Sequence, residues 1–258
     1  MNHPVPPGER VRAAEPDPAL GMRSALAGRQ STDYYSGLML ALVHVFAIPR
    51  YSALLIDSGE YSRDPLSRHA VTVNLLRTVV SSGFESKPAR SAIRRMAHAH
   101  RRAGLSADDM RFALAAFVVI PRQWSERVLS RPWPEAKTSA VIAFYTRLGE
   151  LTGVIDLPRP VIELERLVEE HLSAHARYAR TNEALLDAAL DHLTRRWPRR
   201  FRRWARTATA VLLDCQVRTA FGLPAPSALD ALVASVVLRA HGKVGGRLPR
   251  IMITRRSE

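Results

Sequence analysis

Residues 83–109 read GFESKPARSAIRRMAHAHRRAGLSADD, and they decide the fold class. Ala, Arg and Met dominate Ala89 to Ala103, all good helix formers, and no proline follows until Pro121. Gly104 is placed to end that helix. Ser106 followed three residues later by Asp109 resembles a capping box with Asp in place of Glu or Gln, which opens a second helix. On the first helix Ala89, Ile93, Met96 and His100 recur at three- and four-residue steps, so His100 stands at the end of an apolar stripe. His98 is turned about 200° away around the axis. His100 is therefore the candidate for an interior role, either as a hydrogen-bonded core histidine or as a metal ligand.

Outward from this stretch the chain continues as helices. Residues 1–32, with Pro at 4, 6, 7, 16 and 18, read as a flexible leader. Tyr34 to Phe46 is an apolar helix ended by Pro49, and Tyr51 to Pro65 is a short connecting segment. Leu66 to Ser81 forms a helix on which Arg68 and Thr72 share a face, one turn apart. Phe112 to Ile120 is almost entirely apolar and follows its cap, which suits a buried central helix, although periodicity alone also permits a strand. Pro121, Pro132 and Pro134 bracket an irregular stretch containing Trp124 and Trp133. Beyond it come helices over Glu135 to Leu151, Val161 to Arg180, Asn182 to Arg196, Arg200 to Phe221 and Ser227 to Ala240, with a turn-rich loop at Gly153 to Pro160. No alternating strands and no repeat period are present. The expectation is all-α: one helical domain over residues 33–250, followed by a tail at 251–258.

The 258 residues are 47% hydrophobic, enough for a full core. The net charge of +14 would ordinarily suggest nucleic acid or an anionic surface as partner. Here the charge is almost all Arg, spread along the whole chain, with Lys only at 87, 137 and 243. Such a spread fits a composition bias better than a binding stripe, so no specific nucleic-acid partner is expected. The densest cluster, Arg195 to Arg206, interleaves Trp197, Phe201 and Trp204 with the charges. That pattern suits either an anionic membrane surface or Arg stems lying over aromatic rings. Cys215, the one cysteine, excludes an intramolecular disulfide and a thiolate cluster, and its apolar run makes it a buried inert thiol in expectation. Residues 1–30 lack the apolar core of a signal peptide, and Leu38 to Ile48, which contains His44, is too short to span a bilayer. The reading is a soluble cytoplasmic protein with room for peripheral membrane contact and an undefined oligomeric state.

The chain resembles the family of the ER-bound oxygenase MpaB and the latex-clearing rubber oxygenases, most of all its compact actinobacterial members. The matching stretches, in family order over roughly residues 46–250, are FAIPRYSALLIDSGEY, RHAVT, GFES with AIRRMAHAH, RRAGLSADDMRFALAAFVVIPRQW, RLGELTGVIDLP, YARTN, LLDCQVRTAFGLPAP and a closing LPR. No one of these pieces is specific; the ordered set is. The resemblance implies an all-helical fold enclosing a b-type haem, with His100 as proximal iron ligand; His98 falls short of that place. It also implies that Arg68 and Thr72, which match the R-x-x-x-T element, line the pocket. A guanidinium there can pair with a haem carboxylate or with a bound oxygen species.

Two departures from the family pattern bear on function. Val71 occupies the place where rubber oxygenases carry a lysine that caps the iron, so no such cap is expected. A secretion signal and the extra segments of the polymer-cleaving members are also lacking, which points away from a rubber substrate. The implied reaction is oxidation of an apolar small or medium metabolite by dioxygen or peroxide, with Glu60 of the SGE element as a further acid–base candidate. The competing reading is a non-catalytic basic helical binding protein or a degenerate family member. Phe112, Phe117, Trp124, Phe144 and Tyr145 could wall such a pocket but suit plain core equally. His171 and His175, four residues apart beside Glu169 and Glu170, read as a solvated face, and Asn182 as a capping or buried hydrogen-bonding residue.

Overall fold

In the computed structural model, residues 17–57, 59, 65–194, 198–234 and 236 are described. Among them every regular element is helical: α1 (Pro18–Ala25), α2 (Arg29–Phe46), α3 (Pro49–Asp57), α4 (Pro65–Ser82), α5 (Lys87–Arg102), α6 (Ala107–Gln123), α7 (Glu135–Thr152), α8 (Val161–His175), α9 (Arg180–Thr194), α10 (Arg199–Leu212) and α11 (Cys215–Ala220). Helical backbone resumes at 228–234, behind a Ser227–Asp230 capping box. The all-α expectation holds.

The centre of the bundle is α6. Leu114 to Pro121 are buried without a break, so this helix is apolar around its whole circumference, and α2, α7 and α8 pack on it. Its start is the expected capping box: Ser106 Oγ accepts from the Asp109 amide, and the Asp109 carboxylate accepts from the Ser106 amide at 2.7 Å. Pro121 does not end the helix, contrary to the irregular stretch expected from that point. Proline removes the N–H that would have bonded the Phe117 carbonyl, and the Tyr34 hydroxyl donates to that carbonyl instead, at 3.4 Å. The chain runs on to Gln123 and through one π-helical turn, Trp124–Val128. Where α2 crosses, a Cβ built on Gly37 would stand 2.5 Å from the Pro121 Cα, so only glycine allows the two backbones to approach this closely.

Residues 17–32 are not leader. Asp17 Oδ1 accepts from the Ala19 amide, capping α1, while Oδ2 accepts from the Phe84 amide at 3.0 Å in the α4–α5 connection. Arg23 donates to the carbonyls of Val80 and Ser81, closing the C-terminal end of α4. With Ala19, Met22 and Leu26 buried, α1 seals the bundle against α4 and α7. Proline content hid this, because Pro18 sits at the first helical position, where its missing N–H costs nothing. The segment from Tyr51, expected to connect helices, is likewise helical as far as Asp57.

One helix of the expectation ends early and another is broken. The helix from Val161 stops at His175, and α9 begins at Arg180. Between them the Arg177 carbonyl is taken by the fully buried Asn182, whose Nδ2 also donates to the carbonyls of Ala47 and Ala220 and whose Oδ1 accepts from Ser52. One amide side chain thus ties the ends of α2, α8 and α11 to the start of α9. The helix from Arg200 breaks at Leu213, where Asp214 turns outward and caps α11 through the Val217 amide at 2.8 Å. Cys215, at the head of α11, is exposed rather than buried. Among the described residues no single helix is long and apolar enough to cross a membrane.

Candidate functional site

Helices α4 and α5 pack on each other as a hairpin joined by Gly83–Ser86. At about 1.5 Å per residue, Arg68, Thr72 and His100 all lie about 15–21 Å along their helices from that connection, so the hairpin brings them to one end. Thr72 and His100 are half-buried and His98 is exposed. Ala89, Ala92, Ile93, Met96 and Ala97 form the buried face of α5, and His100 continues it. Behind His100 the helix closes on Gly104 in the left-handed region, and the Leu105 amide donates to the His100 carbonyl at 3.3 Å. Arg68 lies in α4, but its side chain is outside the described residues, as is Glu60.

The donor set suits a haem. No group of three or more His, Cys, Asp or Glu side chains among the described residues could hold a bare metal ion. A porphyrin provides four equatorial nitrogens itself and asks of the protein one axial imidazole. His100, on a continuous helix and at the edge of the core, offers one. Val71, just before Thr72, is apolar and exposed, so nothing there can cap an iron.

The other candidates sort differently. Phe112, Phe117, Phe144 and Tyr145 belong to the core, and the Tyr145 hydroxyl is hydrogen-bonded to that of Tyr34. Burial raises both phenols well above their ordinary range, so both stay neutral. His44, also buried, bonds the Leu40 carbonyl through Nδ1 at 2.8 Å, and burial lowers its pKa: a core histidine. Arg206 pairs with Asp187 and Glu183, so part of the basic cluster is engaged in ion pairs within the chain; Arg195 to Trp197 fall outside the described residues.

His171 corrects the reading of a solvated face. Its ring stacks on Phe112 with centroids 4.3 Å apart and planes 13° from parallel, and His175 follows at 4.6 Å. Burial, then the neighbouring His175, lower the His171 pKa to about 4, so the ring is neutral at pH 7. It lines a cleft of about 570 Å³ shared with the α2–α3 corner and the start of α6. The signal was present: His171 follows Leu164 and Val168 by seven and three residues, at the edge of the apolar stripe of α8. A second cleft of about 570 Å³ is lined by Arg23, Tyr35, Asn74 and Arg77, with the Arg77 guanidinium 4.9 Å from the Tyr35 ring centre.

A comparison with curated proteins finds no match. A family model described as ER-bound oxygenase mpaB/B'/Rubber oxygenase, catalytic domain, matches residues 29–244, which run from the first residue of α2 to beyond the 228–234 helix. With most of the chain matched, the protein belongs to the MpaB and rubber oxygenase catalytic-domain family.

Proposed function

We propose that this oxygenase-family domain is haem-dependent and oxidises an apolar small or medium metabolite with dioxygen or peroxide, holding the iron through His100. The observation that carries the proposal is the hairpin end where His100 stands level with Arg68 and Thr72. When bound, haem supplies the redox chemistry at its iron. His100 acts as a neutral imidazole, kept in place by a helix whose apolar face is buried up to that residue. The Arg68 guanidinium, permanently charged, is suited to pair with a haem carboxylate, and the Thr72 hydroxyl adds a hydrogen bond one turn away. Val71, being apolar, has no amine with which to ligate an iron.

The test is an absorption spectrum with iron analysis of the protein purified from haem-supplemented cells, alongside His100→Ala and His98→Ala. A Soret band with about one iron per chain, lost in His100→Ala and kept in His98→Ala, is the expected result. Haem retained by His100→Ala and lost from His98→Ala moves the ligand to His98. No Soret band in any form, even after reconstitution, removes the haem reading and leaves the family fold standing.

A further inference from the structure

The cleft beside His171 is built by three stretches far apart in sequence: Ile48–Arg50, Ser106–Arg111 and Leu167–Arg177. Its volume of about 570 Å³ is that of a small-molecule site. We propose that it binds a monocarboxylic acid with an apolar body, held at the carboxylate by Arg111, His171 and Arg177. This proposal stands independently of the haem reading.

Arg111 and His171 line the cleft, and two of their buried nitrogens, Arg111 Nε and His171 Nε2, have no hydrogen-bond partner among the described residues. Arg111 Nε is always a donor, and a neutral imidazole protonated on Nε2 is a second. Leaving such groups unmet is costly, so the site is poised for an acceptor, and a carboxylate offers two. Asp108 accepts from Arg111 Nη1 at 3.1 Å, so a ligand meets Nε only once the Arg111 side chain turns. Arg177, exposed at the cleft, makes no ion pair among the described residues and is left to meet an anion.

The acidic residues of the cleft do not forbid an anion. Asp109 is buried, ion-paired with Arg50 and bonded to the Ser106 amide, while Asp108 is held by Arg111. Glu170 stays unneutralised at close range, since its partner Arg166 is 3.9 Å away and both are well exposed. That residual charge favours a monoanion over a phosphate dianion. Ile48, Leu167 and Ala174 supply the apolar wall for the body of the ligand.

The test is calorimetric titration of the full chain with 3-phenylpropionate and with 3-phenylpropan-1-ol, which has the same body without the charge. The expected result is saturable binding of the acid, with the alcohol weaker by at least about tenfold. Arg111→Gln and Arg177→Gln should each weaken the acid by about tenfold. Arg177 is exposed, so its variant keeps the test valid if Arg111→Gln fails to fold. Equal binding of acid and alcohol, no binding of the acid, or acid binding unchanged in Arg177→Gln would each overturn the proposal. None of these results bears on the Soret band.

Discussion

Asp109 does two things with one carboxylate: it closes the capping box of α6 by accepting from the Ser106 amide, and it pairs with Arg50 at the start of α3. His171 shows the same economy on the opposite wall, stacked on Phe112 and facing His175, Asp108 and Arg50. Its pKa near 4 lies below that of the unfolded chain, about 6.5. The unfolded state therefore takes up the proton first, and stability that is complete above about pH 6.5 is lost progressively as pH falls toward about 4. His44, lowered by its own burial, acts in the same direction. His171→Phe keeps the stack and removes the titration. Melting temperatures followed from pH 7 to pH 4 should fall less steeply in that variant, by a few degrees across the range, because the half-exposed ring is partly screened. Parallel curves for the two proteins would show that His171 does not titrate differently on folding.

At the scale of the element, the crossing of α2 over α6 depends on Gly37 lying against Pro121. Gly37→Ala should cost on the order of 1–3 kcal/mol, because the contact is with backbone and cannot be relieved by turning a side chain. Urea denaturation checks this as a lower midpoint at unchanged slope, and an unchanged midpoint would mean that the helices separate freely at that crossing. This crossing also marks the limit of what the sequence reveals. The α5–α6 stretch was legible because its signals are local: a stripe at helical spacing, a glycine stop and a capping box whose two members stand three residues apart. The passage through Pro121 was not, because the hydroxyl that satisfies Phe117 comes from Tyr34, far away in sequence. The breaks at Ala176–Ala179 and Leu213–Asp214 are likewise set by Asn182 and by the Asp214 cap, whose partners no helical periodicity displays. His100 at the end of its stripe was readable, whereas the cleft beside His171 required three distant stretches to be brought together.

At the scale of the molecule, α1 is part of the domain. A chain beginning at Asp17 retains the Asp17 bond to Phe84 and the Arg23 cap on α4; one beginning at Arg29 loses both and uncovers Met22 and Leu26. At about 1.5–3 kcal/mol for each large side chain unburied, the shorter chain should melt on the order of 10 °C lower. Differential scanning calorimetry of the two decides it, and equal melting temperatures would show that α1 contributes nothing to the bundle. The family match begins at residue 29, so this helix lies outside the matched stretch.

The partners of α1 impose an order of events. It packs on α4 and α7, and its arginine closes a helix end near residue 80. During synthesis it leaves the ribosome before any of these exists, and its surface on α7 is complete only once residue 152 has been made. A helix made early is thus clasped late, by residues that are translated long after it.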